Sequence, residues 1–304
     1  MHLAFLGLGQ IGGSVARAAS AAGVTTRITA WTPGGAGPRA AAADGVVAAA
    51  TAAEAIHGAD LIVLAAPPLA CLDLLDELAG PLAVDVAADA VITDVASTKG
   101  AIVDRARRHR LRFVGGHPMA GRETAGYGSG DAELLRGRPW VVVAAEPADA
   151  PADARVAGLA RACGARPVVM TADEHDAAVA AISHLPLVVS VALVEAMAAQ
   201  PDWPTARDLA AGGWAGITRL ARGDATMGAG ILATNGAATA DRLRALRSVI
   251  DDWLGLLGDG ATDGDGAADP EVLRARLAAA RELAMATEPG TPDGVASGPR
   301  SGAG

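Results

Sequence analysis

Over its first 170 residues the chain alternates between short apolar runs and longer alanine-rich stretches, and then its pattern changes. Residues 2–7 (HLAFLG), 26–31 (TRITAW), 60–65 (DLIVLA), 91–95 (VITDV), 112–115 (RFVG), 140–145 (WVVVAA) and 166–170 (RPVVM) read as strands. Helical patterning lies between several of them, at 10–22, 38–44, 68–79, 98–109 and 151–163. Such alternation predicts parallel crossover units and an α/β sheet. From 172 onward the pattern is helical: one long segment over 173–199 interrupted at Pro186, then 204–222, 226–257 and 270–286. The expectation is an α/β domain over 1–170, a helical domain over 171–286 and a disordered tail over 287–304.

Composition narrows the function classes. The 304 residues are 51% hydrophobic, enough to build a core, so wholesale disorder is excluded. The net charge of −9 argues against a general nucleic-acid binder, which needs a basic surface. No uninterrupted apolar run reaches the roughly 18 residues of a membrane span, so none is expected. The N-terminus shows neither a basic leader nor a cleavage site, which makes a cytoplasmic location the expectation. Cys71 and Cys163 are too few for a disulfide framework or a zinc site; each is expected as a small core residue, and no metal is expected. The Gly- and Asp-rich stretch 258–269 (GDGATDGDGAAD) reads as a linker; it lacks the closing glutamate of a calcium loop.

Gly7, Gly9 and Gly12 form G-x-G-x-x-G immediately after a strand and at the start of a helix. In that context the first glycine permits a tight turn, the second lets a pyrophosphate approach the backbone, and the third lets helix and strand pack closely. The helix N-terminus adds free N–H groups and a favourable dipole. This points to a Rossmann-type dinucleotide site built from Gly7, Gly9, Gln10, Ile11 and Gly12, with Thr32 after the second strand and Pro67 after the strand at 60–65. An NAD-type site places Asp or Glu about 20 residues beyond the loop. Trp31, Thr32 and Pro33 stand there instead, and Arg39 follows, either to meet a 2′-phosphate or as a solvated helix residue. NAD and NADP both remain open.

Three further segments are rich in chemistry: Thr93-Asp94-Val95-Ala96-Ser97-Thr98-Lys99-Gly100 at a strand end, Gly116-His117-Pro118-Met119-Ala120-Gly121-Arg122-Glu123 after the next strand, and Glu174-His175-Asp176 followed by Ile182-Ser183-His184-Leu185-Pro186. With the glycine loop, these four motifs in this order resemble the prephenate/arogenate dehydrogenase family over roughly residues 1–257. The resemblance implies a Rossmann-type domain followed by an all-α dimerisation domain, and so a homodimer through the helices. It also implies NAD- or NADP-dependent oxidative decarboxylation of prephenate or arogenate, in tyrosine biosynthesis. In that reaction a hydride leaves C4 for the nicotinamide, the C4 hydroxyl loses its proton and CO₂ leaves C1.

By resemblance, His117 is the catalytic histidine that accepts the hydroxyl proton, a role that suits a neutral imidazole. Ser97 matches a serine of the same site, although a helix N-cap ahead of Lys99 is its ordinary alternative. His184 matches a second histidine near nicotinamide and substrate, and Pro186 is expected to kink the helix there. Arg219, in Gly216-Ile217-Thr218-Arg219-Leu220, matches the arginine that holds the ring carboxylate, a task suited to a bidentate, permanent charge. Glu123 is a candidate substrate-site residue or a solvated loop carboxylate. His175 is expected in an interdomain structural role. Lys99, the only lysine, reads equally as site support or as a surface ion pair.

Two departures stand out. Leu187 follows His184-Leu185-Pro186 where many members carry histidine, and Asp224-Ala225-Thr226-Met227-Gly228 lacks the family's tryptophan. A 4-amino-4-deoxyprephenate dehydrogenase therefore stays open, as does a non-catalytic nicotinamide-binding sensor. A β-hydroxyacid-type dehydrogenase needs a catalytic lysine in its helical domain, and no lysine follows Lys99. Residues 258–304 are too short and polar for a regulatory ACT domain, so feedback through one is not expected.

Overall fold

The computed structural model describes residues 1–121, 124–258 and 269–286. Eight strands form one sheet: β1 His2–Leu6, β2 Arg27–Trp31, β3 Val47–Ala48, β4 Leu61–Leu64, β5 Val91–Asp94, β6 Phe113–Pro118, β7 Pro139–Val143 and β8 Arg166–Val169. The helices between them are α1 Gln10–Ala21, α2 Ala36–Ala40, α3 Ala52–Ile56, α4 Pro68–Ala79, α5 Gly100–Arg108 and α6 Ala150–Ala162. After the sheet come α7 Ala172–Val179, α8 Leu185–Ala198, α9 Trp203–Asp208, α10 Gly212–Ile217, α11 Ala225–Thr234, α12 Gly236–Leu257 and α13 Pro270–Ala286.

The strand order is β3-β2-β1-β4-β5-β6-β7-β8. Its first six strands are parallel and have the doubly wound order, whose direction reverses between β1 and β4. Alternate residues serve opposite faces, as the two-residue strand period requires. Leu3, Phe5, Val63 and Val91 pack on the α1 and α6 side, while Ala4, Leu6, Ile62 and Ile92 pack on the α3, α4 and α5 side. Both faces are covered, and the strands therefore read as unbroken apolar runs.

Three features differ from expectation. First, β7 runs antiparallel to β6, with His117 opposite Val141, before β8 resumes parallel to β7. Among the described residues no crossover helix connects β6 to β7, and an antiparallel neighbour needs none. Second, the helix expected over 204–222 is α9, α10 and a 3-10 turn at Arg219–Arg222, and 226–257 is split at Asn235. Third, β3 has only two residues, too few for a pattern.

Architecture changes from sheet to helices between β8 and α7, whereas chain contacts divide the molecule into Met1–Arg242 and Leu243–Gly304. In the second unit, Arg276 lies over the Trp253 ring at 4.5 Å, and none of its described residues is buried. In the first, the helical stretch Ala172–Ala198 has a mean hydropathy of 2.2 in its most apolar window, of which only 22% is buried. By length and composition it could cross a membrane, although the sequence lacks an uninterrupted apolar run. The 259–268 part of the expected linker and the tail 287–304 lie outside the described residues.

Candidate functional site

The glycine loop sits at the point where strand order reverses. Gly7 follows β1 with φ +93°, and its N–H bonds Trp31 O at 2.9 Å. Ala65 N, following β4, bonds Leu6 O at 2.8 Å, which draws the two strand ends together. A Cβ on Gly7 would run into the Ala65 carbonyl, and one on Gly12 would meet Ala65 Cβ at 2.8 Å. A Cβ on Gly9, the N-cap of α1, would meet nothing within 4 Å. The first and third glycines are thus demanded by packing, while the second leaves space open above the first turn of α1. That is the cradle a pyrophosphate needs.

The other expected cofactor residues surround it. Ile11 packs against the core from the same turn. The Gln10 amide donates to Thr124 O at 2.9 Å, holding the segment after β6 over the loop. Thr32 is half-buried beyond β2, and Pro67 is the N-cap of α4 beyond β4. Arg39 is exposed, with its guanidinium folded back over Gly35.

A second cleft, of about 430 Å³, opens beside the end of β6. Ser97, His117, Met119, Leu134, Arg138 and Ser183 are among its lining residues. Ser97 Oγ is buried without a hydrogen-bond partner among the described residues. Its N-cap alternative does not hold, because no side chain of the segment caps α5. The Asp176 carboxylate does so instead, accepting Lys99 N and Gly100 N at 2.8 Å each.

Asp176 is placed for this by the start of α7. Thr171 and Glu174 form a reciprocal capping box: Thr171 Oγ1 accepts Glu174 N at 3.2 Å, and Glu174 Oε2 accepts Thr171 N at 2.8 Å. Glu174 is thereby used in folding, and His175 and Asp176 turn inward. His175 Nδ1 lies 2.8 Å from Asp176 Oδ1, and His175 Nε2 lies 2.8 Å from His117 Nδ1. His175 thus contacts the cleft histidine directly, which its expected interdomain role did not include.

Lys99 is fully buried and ion-paired with Asp94, so the surface ion-pair reading is wrong. Asp94 also accepts Gly116 N at 2.9 Å and Ala96 N at 3.1 Å, which fixes the strand end that carries His117. Burial pushes the Asp94 carboxyl up, against the pull of Lys99. Burial also pushes Asp176 upward, but hydrogen bonds from His175, Gly100 and Lys99 outweigh it and hold the carboxyl below its ordinary value. His117 is pushed well below the ordinary imidazole value by burial, then by Lys99, His175 and His184. A neutral imidazole at the cleft is the result.

His184 ends the five-residue π-helical turn Ala180–His184 that precedes Pro186. The wide turn, frequent at functional sites, takes the place of a sharp kink. His184 is 1% exposed; Asn235 Nδ2 lies 3.1 Å from its Nδ1, and its Nε2 has no partner among the described residues. Burial lowers its pKa, with Asp176 opposing. Cys71 and Cys163 are buried core thiols, each pushed up to about 12 by burial.

Arg219 lies exposed in the 3-10 turn and is absent from the lining of this cleft. Arg138 lines it instead; among 24 arginines nothing in the sequence marked that one. Asn235 was also missed. Glu123 lies outside the described residues.

Comparison with known proteins agrees with this geometry. Residues 15–169 match the family description "Prephenate dehydrogenase, nucleotide-binding domain", and residues 171–264 match "Prephenate dehydrogenase, dimerization domain". The prephenate dehydrogenase of Lactococcus lactis is 30% identical over 64% of this chain and 53% of its own length. The chain thus spans about half the length of that relative. The probable prephenate dehydrogenase NovF of Streptomyces niveus is 34% identical over 88% of this chain and 71% of its own. The crystal structure of Synechocystis arogenate dehydrogenase superposes with a TM-score of 0.74 at 27% identity, covering 94% of this chain and all of that one. With both domain descriptions matched in sequence, on the expected α/β domain followed by helices, the chain belongs to the prephenate dehydrogenase family.

Proposed function

We propose that the protein is an NAD- or NADP-dependent dehydrogenase that oxidatively decarboxylates prephenate or arogenate, giving 4-hydroxyphenylpyruvate or tyrosine. The observation that carries this reading is His117, held neutral in a cleft that also contains the Ser97 hydroxyl, which has no partner among the described residues. The cradle at Gly7, Gly9 and Gly12 fits a dinucleotide, whose nicotinamide accepts the hydride when bound. This chain's residues do the remainder. His117 takes the C4-hydroxyl proton, and Ser97 Oγ hydrogen-bonds the same hydroxyl. Arg138 offers the cleft a cation for a substrate carboxylate, and Arg219 serves a carboxylate in the assembled site. CO₂ leaves C1 as the ring becomes aromatic, which supplies the driving force, and the phenolate oxygen takes the proton back from His117.

The active form is a homodimer through the helical segment, and the protein is cytoplasmic. The match to a dimerization domain supports the first statement, as do the exposed apolar residues of the first unit, such as Ile182, Leu209 and Ile217. A second copy of the chain covers them. His175, Asp176 and His184 sit within the apolar stretch 172–198 and are engaged in polar contacts, which favours a covered protein face over lipid.

The test is the initial rate of reduced-nicotinamide formation with prephenate and arogenate, each paired with NAD⁺ and NADP⁺. A clear rate with one pair is expected, and it identifies substrate and cofactor together. Absence of turnover with all four pairs, from folded protein that binds dinucleotide, would overturn the reading.

A further inference from the structure

His117 lines the cleft and His184 is buried next to Ser183, which also lines it; neutral imidazole can either accept or donate at a given nitrogen, depending on which one carries the proton. The hydrogen bonds around them settle that choice. The Asp176 carboxylate is held ionised, so it can only accept. His175 must therefore place its proton on Nδ1, facing Asp176 Oδ1 at 2.8 Å. His175 Nε2 is then the nitrogen left to accept, and it faces His117 Nδ1 at 2.8 Å. His117 must donate from Nδ1, which leaves its Nε2 bare as a proton acceptor.

The second histidine is set by a different side chain. Asn235 faces the Asp176 backbone carbonyl at 2.8 Å and His184 Nδ1 at 3.1 Å. A carbonyl oxygen only accepts, so the Asn235 atom facing it must be the amide nitrogen; the flipped amide would set two oxygens against each other. The second amide hydrogen then points at His184 Nδ1, which must be bare. Neutral His184 accordingly carries its proton on Nε2, the buried atom left without a partner among the described residues.

We infer that Asp176 fixes opposite proton polarities on the two histidines, through His175 and Asn235 acting as positioning residues. His117 is the acceptor and His184 is the donor. One residue does this with two different groups, its carboxylate towards His175 and its main-chain carbonyl towards Asn235. The acceptor on His117 takes a hydroxyl proton, and the donor on His184 is a buried N–H with no partner among the described residues. The functional meaning rests on the dehydrogenase reading; the proton positions do not.

The test is long-range ¹H–¹⁵N correlation spectroscopy on the full ¹⁵N-labelled chain, which reports which nitrogen of each imidazole is protonated. The six histidines are few enough to assign by the signals lost in His117→Gln and His184→Gln. The expected result is a bare Nε2 on His117 and a bare Nδ1 on His184. In Asn235→Ala, the His184 signals shift towards a mixture while those of His117 stay. In His175→Leu, the reverse occurs, and kcat falls at least ~10-fold, towards the ~10²–10⁴ that a positioned acid–base group supplies. His175→Gln, whose carbonyl can still accept from His117 Nδ1, recovers part of that loss.

A proton on Nε2 of His117 or on Nδ1 of His184 in the unmodified protein overturns the inference, even if Asn235→Ala and His175→Leu fail to fold. So does an Asn235→Ala spectrum with unchanged His184 signals. Expected proton positions in a protein that turns over none of the four substrate and cofactor pairs would instead overturn the proposed function and leave this inference standing.

Discussion

The Asp176 carboxylate accepts the Gly100 main-chain N–H at 2.8 Å, across 76 residues of sequence. A side chain from the first helix beyond the sheet thus caps a helix of the nucleotide-binding region. An anionic cap at a helix N-terminus satisfies orphan N–H groups and favours the dipole. Asp176→Ala removes that cap and the partner of His175 together. It is expected to lower stability by about 2–4 kcal/mol, more than a simple cap loss, because buried donors are left unsatisfied. Asp176→Asn, which keeps an acceptor, should lose less. Denaturant unfolding of the three proteins checks the order.

The glycines of the loop separate folding from binding. Gly7→Ala forces a Cβ onto the Ala65 carbonyl at a φ of +93° and should destabilise the fold by about 1–3 kcal/mol. Gly9→Val fills open space and should leave the melting temperature nearly unchanged. It should weaken dinucleotide binding at least ~10-fold, because the side chain occupies the approach to the α1 N-terminus. Calorimetric titration with NAD⁺ or NADP⁺, alongside thermal melts, distinguishes the two effects.

The buried Lys99–Asp94 pair makes a sharper stability prediction. Lys99→Ala strands a carboxylate at a fully buried position and should cost about 3–5 kcal/mol. The double change Lys99→Met with Asp94→Asn should recover much of that. Equal losses in the single and double variants would argue against the pair's being the source.

Much of this was legible in the sequence, and the reasons differ by element. The glycine loop is a local signal: spacing, strand and helix all lie within a few residues. Strand direction is not local, which is why β7 could be found as an apolar run but not as antiparallel. The breaks near Gly212 and at Asn235 had their punctuation in view, yet alanine-rich flanks masked it. His117, Ser97 and His184 carried motif context. Arg138 carried none, and its place depends on how β7 returns beside β6. Asn235 meets its partners from 59 and 51 residues away, a relationship visible only once the chain has folded.

Arg138 is expected to act through a charge-assisted contact to substrate, worth about 1.5–3 kcal/mol. Arg138→Ala should raise the KM of the carboxylate substrate by about 10–100-fold, with a much smaller change in the KM of the dinucleotide. Steady-state kinetics with each substrate varied in turn reads the difference. Equal effects on both would place Arg138 elsewhere than the substrate cleft.

Acidity should affect the protein through its buried histidines. His117 and His184 sit below their ordinary value of 6.5. Below that pH the unfolded chain binds protons that the folded protein resists, so stability rises with pH through this window. Their contribution is complete above about 6.5 and is lost as pH falls. Melting temperature should therefore drop on acidification from about pH 7 to 5, and the drop should be shallower in His117→Asn. A slope unaffected by His117→Asn would show that its proton is not the one resisted.

The account turns on His117 as the group that receives the hydroxyl proton. The most direct measurement is the single-turnover rate of His117→Asn against the parent protein, with the preferred substrate and cofactor saturating and dinucleotide affinity measured on the same samples. The predicted result is a rate lower by ~10²–10⁴, the scale of a positioned general base, with dinucleotide affinity within about twofold of the parent. An unchanged rate would contradict the account.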